Sequence, residues 1–110
     1  MNKTNYEIAE VAIPLPIDRL FHYKIEQELE GRVEIGKRVQ VEFGRKNMVG
    51  YVVNLVRSAE VKNIKPVKSV LDAEPVISPH MLTLCKRISE TYLSSLGQAI
   101  DATIPRAEKR

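Results

Sequence analysis

Two histidines, one cysteine and a scatter of carboxylates are all that this chain of 110 residues offers toward nucleophilic or metal chemistry. His22 and His80 are too few and too far apart in sequence to suggest a metal site. No P-loop, GxGxxG, HExxH or GxSxG pattern occurs. Cys85 falls on the apolar side of a helical pattern, where a buried, inert thiol is expected, because a reactive cysteine needs an accessible, electropositive setting. Catalysis is therefore not expected of these residues. Binding chemistry is better represented. Phe21 and His22 offer an apolar ring and a polar one. Gly44 lets backbone amides approach a ligand closely, and Arg45 and Lys46 place charge at the same loop tip. Lys65 precedes Pro66, which holds its backbone extended and defines its direction better than that of a free surface lysine.

Arg38, Arg45, Lys46, Arg57, Lys62, Lys65 and Lys68 lie on or beside strand candidates, whereas Glu26, Glu28, Glu30 and Glu34 gather in one connection. Such separation builds a face that attracts phosphates with salt-dependent affinity. Ordinary solvated strand and loop charge accounts for it equally well. With two Phe, four Tyr and no Trp, the chain cannot line a long groove with stacking rings, each worth roughly 1–3 kcal/mol per base. If it binds nucleic acid, a pocket for one or two nucleotides is the expected form.

The elements that must position these residues read mainly as β. A first strand is expected from about Tyr6 to Ile13, a β-rich stretch with little polar interruption. Pro14 and Pro16 fix φ at about −65° twice and remove two donors, so the chain there is extended or turning. Phe21 to Ile25 follows as a strand, with Phe21, Tyr23 and Ile25 toward the core and His22 and Lys24 on the other side. Gly31 and Gly36 bracket the acidic connection as turn residues. "KRVQVEF" alternates Val39, Val41 and Phe43 with Arg38, Gln40 and Glu42, and "MVGYVVNLV" reads as its hairpin partner across a four-residue loop, Gly44 to Asn47. "IKPVKSVL" is a further strand, placed at an edge or bulge by Pro66.

From Ser78 the pattern becomes helical. Ser78 and Pro79 form an N-cap and first-turn pair. Met81, Cys85, Ile88 and Tyr92 recur at helical spacing, with Leu82 and Leu84 widening the stripe. Ser95 and Gln98 have the spacing of a capping box for a second, short helix ending before Pro105. The expected fold is mainly β: a small OB-like β-barrel over residues 6–72, because closure removes exposed edges, with one or two C-terminal helices over 79–103. Residues 1–110 are read as a single domain. A hydrophobic fraction of 44% and a charged fraction of 28% suit a folded globular chain.

A net charge of +3 permits a polyanionic partner without demanding one. One cysteine excludes an internal disulfide and suits a reducing compartment. There is no signal-peptide pattern and no apolar run of membrane-spanning length. A cytoplasmic location, a monomer, no membrane partner and no cofactor or metal in these residues are the expectations. The closing "IPRAEKR" is solvated charge without a structural stop, which fits a natural terminus or a fragment cut at a linker.

Three stretches, "EVAIPLPIDRLFHYKI", "IGKRVQVEFGRKNMVGYVV" and "IKPVKSVLDAEPVIS", in this order, resemble the N-terminal 3′-end DNA-binding domain of the bacterial primosomal protein N′ (PriA) family of replication-restart helicases. "YLSSLGQAIDATIP" resembles the end of the same domain, so the likeness covers nearly the whole chain. It implies an OB-like barrel with appended helices that binds the 3′ end of the nascent leading strand at a stalled fork. The implied partners are a single-stranded DNA 3′ end, forked DNA and the remaining domains of a longer parent helicase. The ATP-dependent 3′–5′ motor of that parent, with its ATP and zinc, would lie outside these residues. In the family, the terminal nucleotide's pocket is formed by a Phe–Asp step before a Tyr, the glycine after a V-x-F strand and a lysine beside the last strand. Phe21 matches the aromatic, Gly44 the glycine and Lys65 the lysine, while His22 stands in the Asp position. A carboxylate only accepts hydrogen bonds, whereas neutral imidazole offers one donor and one acceptor, so altered base contacts are expected there. Arg45 and Lys46 are expected on the DNA backbone.

Two other readings remain open on the residues themselves. "IGKRVQVEFGRKNMVGYVV" is also a pattern of SH3-like barrels of the ribosomal or translation type, which would bind structured RNA through basic loops. A protein-docking barrel would use the helix face and the Pro14–Pro16 segment, and its binding would show almost no salt dependence.

Overall fold

The computed structural model describes residues 6–57 and 63–105. In chain order they form β1 (Ile8–Ala12), β2 (Phe21–Lys24), a 3-10 turn over Gln27–Leu29, β3 (Arg38–Phe43), β4 (Lys46–Val56), β5 (Ser69–Val70), α1 (Pro79–Tyr92) and α2 (Leu96–Thr103). The strands make one sheet in the order β2-β1-β4-β3-β5, antiparallel throughout. The class is mainly β with two C-terminal helices, as the patterning implies. The strands do not, however, close into the expected barrel. β5 has only two residues, because the segment that feeds it carries Pro66, which has no N–H to give a ladder. An isolated parallel bridge between Lys24 and Pro66 spans the opening. Across it the Lys24 N–H donates to Lys65 O and the Val67 N–H to Lys24 O, each at 2.9 Å. The same strap then reaches β3, where the Lys68 N–H donates to Gln40 O at 2.8 Å and the Leu71 N–H to Arg38 O at 2.9 Å.

Alternation sorts the sheet into two buried faces. One holds Ala9, Val11, Tyr23, Val39, Val41 and Val52, with Phe21 and Ile25 packed partly against them. The other holds Ala12, Tyr51 and Val53, covered by Leu82 and Cys85 of α1 and by Ala99 and Ile100 of α2. Both faces must be apolar where both are covered, so β4 reads as an unbroken run, Tyr51-Val52-Val53. The register against β1 shifts between Glu10 and Val11, which pair with Asn54 and Val52 respectively; the extra residue makes a bulge.

The helix signals act as their chemistry dictates. The Ser78 hydroxyl accepts the Met81 N–H, with Pro79 following it, and Ser95 and Gln98 form a complete capping box. Cys85 is fully buried, and desolvation pushes its thiol pKa up. Leu84 and Tyr92, expected on the apolar stripe, are 42% and 75% exposed. Leu84 is rotated off the stripe, and Tyr92 belongs to the last turn, just before the chain bends through a left-handed Leu93 (φ 58°) into α2. α2 in turn sits on the proline segment. The Ser95 hydroxyl donates to Leu15 O at 2.5 Å, and a Cβ at Gly97 would strike Ile13 O.

The hairpin turn is tighter than the sequence implied. Phe43 pairs with Lys46, leaving a two-residue loop, Gly44 and Arg45, in place of four. Gly44 has φ +67°, as the glycine-first type II′ turn requires. No helix among the described residues is long and apolar enough to cross a membrane.

Candidate nucleic-acid interface

Phe21, His22, Gly44 and Lys65 come from three separate parts of the chain, and all four line one open cleft of about 230 Å³. β2 supplies Phe21 to Tyr23, with Arg19 and Leu20 from the segment before it. The end of β3 and its turn supply Glu42, Phe43 and Gly44, and the strap supplies Asn63 to Lys65. The volume is below the roughly 300–1,000 Å³ of drug-sized pockets, which suits a single nucleoside unit and not a run of them.

One wall is aromatic. Phe21 and Phe43 meet edge to face, with centroids 4.8 Å apart and planes at 77°, and the Arg19 guanidinium lies 5.0 Å over the Phe21 ring. That cation is within the range of a ring-quadrupole attraction. The floor is fixed by Tyr23, whose hydroxyl donates to Glu42 O at 2.9 Å. Burial pushes the Tyr23 phenol up, and the nearby Glu42 charge adds to the effect. The polar wall is Lys65, whose Nζ lies 3.3 Å from Glu42 Oε2 and 3.4 Å from Gly44 O. A planar base can lie against the aromatic wall while hydroxyl or phosphate oxygens meet the ammonium.

His22 lines the cleft, but its imidazole is engaged on the opposite face of β2 from Phe21 and Tyr23. Its Nε2 is 3.1 Å from Glu10 Oε2, its cross-strand partner, and Glu10 also accepts from Asn54 Nδ2 at 3.2 Å. Arg45 and Lys46 are exposed at the turn beside the cleft without lining it, and neither makes an ion pair among the described residues.

Of the basic positions read as one face, Arg38 is the correction. It is 8% exposed, and its side chain grips Asp72, Nη2 to Oδ1 at 2.8 Å and Nε to Oδ2 at 3.1 Å. Its backbone N–H donates to the same carboxylate at 2.8 Å. Desolvation pushes the Asp72 carboxyl up, but hydrogen bonds and charge from Arg38 outweigh it and hold the pKa below the ordinary value. Lys68 bonds Asn47 at 3.0 Å, Arg57 is exposed, and Lys62 lies outside the described residues. Arg19, Glu42, Phe43, Asn63 and Ile64 are cleft residues that motif reading did not select. Glu42 and Phe43 had a signal in hindsight, since they immediately precede Gly44.

Comparison with known proteins identifies the family. The model of a PriA family described as 3′DNA-binding domain (3′BD) matches residues 10–105. The replication restart protein PriA of Bacillus subtilis is 35% identical over 95 residues, covering 84% of this chain and 12% of the relative. That of Treponema pallidum is 26% identical over 106 residues, covering 91% of this chain and 16% of the relative. That of Rickettsia typhi is 35% identical over 95 residues, covering 84% and 14%. The chain thus spans about an eighth to a sixth of the length of these relatives.

Proposed function

This chain belongs to the PriA 3′ DNA-binding domain family, and from that premise we propose that its cleft holds the 3′-terminal nucleotide of a DNA strand. In this reading the residues are the DNA-reading part of a replication-restart primosome helicase, directed to the nascent leading strand at a stalled fork. Unwinding and ATP hydrolysis belong to other parts of such a protein. The observation that carries the reading is the convergence of Phe21, Gly44 and Lys65 on one small cleft. Phe21 packs against the base, Gly44 keeps the turn backbone close to the sugar, and Lys65 meets its oxygens. In this reading the cleft takes one terminal nucleotide of any sequence and favours an end over a continuing chain. The Phe21–Phe43 wall and the Lys65 ammonium need no base-specific pairing to do so.

The test is fluorescence anisotropy of labelled single-stranded DNA at fixed moderate salt, comparing free and blocked 3′ ends. The expected result is a clear preference for the free 3′-hydroxyl end, lost in Lys65→Ala. Binding indifferent to the end would sink the pocket and leave a basic surface, to be tried next against structured RNA and protein partners.

A further inference from the structure

We propose that Glu42 makes the cleft selective for a 3′-hydroxyl over a 3′-phosphate; this rests on the reading that the cleft takes a strand's 3′ end. Glu42 is the only carboxylate among the described residues that line the cleft. Its side chain is 38% exposed and its partner Lys65 49%, so the pair faces the cleft open to a ligand. The carboxylate is held in place through its main chain, since Glu42 O accepts the Tyr23 hydroxyl and Phe43 stands in the aromatic wall.

The charges decide what such a pair prefers. Arg19 and Lys65 alone would attract any phosphate, and most of all a terminal monoester, which carries a charge of about −1.5 to −2 at neutral pH. Glu42 offsets Lys65 and leaves carboxylate lone pairs unused. A terminal hydroxyl can donate to them in a charge-assisted hydrogen bond. A phosphate dianion has no proton to donate there and meets a like charge at close range.

Anisotropy with oligothymidylate ending in a 3′-hydroxyl or a 3′-phosphate, on the wild-type chain, Glu42→Gln, Glu42→Asp and Lys65→Ala, separates the possibilities. Glu42→Gln is expected to bind the phosphate-ended strand about tenfold more tightly than wild type does, the scale of one like-charge contact removed from a half-exposed site. It should bind the hydroxyl-ended strand no more tightly, and Glu42→Asp should keep most of the preference. Equal weakening toward both ends would mean that Glu42 is only structural, and an unchanged preference would likewise overturn the assignment while leaving the end-binding reading intact. A wild type indifferent to its end and unaffected by Lys65→Ala overturns both.

Discussion

Gly44 and Gly97 lack a side chain for different reasons, and the difference can be measured. Gly44 sits at φ +67°, yet a Cβ there would meet nothing within 4 Å. Alanine at 44 therefore costs only the left-handed backbone, about 1–2 kcal/mol. Gly97 is helical, but its Cβ would collide with the Ile13 carbonyl and come 2.8 Å from Pro14 N. Main chain cannot rotate aside as a flexible side chain can, so relief requires α2 and the proline segment to part. Gly97→Ala is expected to cost about 2–3 kcal/mol, even though alanine favours a helix by about 1 kcal/mol. Urea midpoints of the two variants rank these costs. A Gly97→Ala protein as stable as wild type would mean that α2 is not seated on Ile13 and Pro14.

Among the elements, the β3–β4 hairpin carries the cleft's edge and the two exposed charges that follow Gly44. Arg45→Ala with Lys46→Ala is expected to weaken binding of all single strands alike and to flatten the plot of log affinity against log salt. The loss of slope should be about 0.7 for each phosphate contact removed; an unchanged slope would take both residues off the DNA backbone. The hairpin also shows what was legible. Alternation in "KRVQVEF" places β3 with no tertiary information, and Ser78, Pro79, Ser95 and Gln98 place both helix starts, because those signals act within one turn of chain. Three features had no local signal. Arg38 looks solvent-facing until Asp72, 34 positions on, covers it. The barrel stays open because β5 is cut short, and Pro66 marks an edge without saying how long the strand will be. The imidazole of His22 is engaged by Glu10 across a strand pair, which no local pattern signals. Phe21, Gly44 and Lys65 were candidates from their residue chemistry and from likeness to a family; that Arg19 and Glu42 line the same cleft required coordinates.

On the scale of the whole molecule, the strap from Asn63 to Asp72 joins the two ends of the sheet, and its far end is acid-sensitive. The Asp72 carboxyl titrates below its ordinary value of 3.8 in the folded chain. Its contribution to stability is therefore complete above that value and is lost as pH falls through the lower folded-state one. Denaturation midpoints should drop as pH falls below about 4, and Asp72→Asn should flatten that limb while costing about 3 kcal/mol at neutral pH by removing the carboxylate that the buried Arg38 side chain grips. An acid limb as steep in Asp72→Asn as in wild type would place the acid sensitivity in other carboxylates.

The near end of the strap has a different consequence. The cleft's walls are held by main chain: Lys24 N–H to Lys65 O, Val67 N–H to Lys24 O, and a two-residue turn at Gly44. Apart from the glycine that the turn requires at position 44, none of these bonds depends on which side chains project into the cleft. Foldability and ligand preference are thus written in different atoms. One lining side chain can be traded for another, and the terminal chemistry that the cleft accepts altered, without rebuilding the frame that presents it.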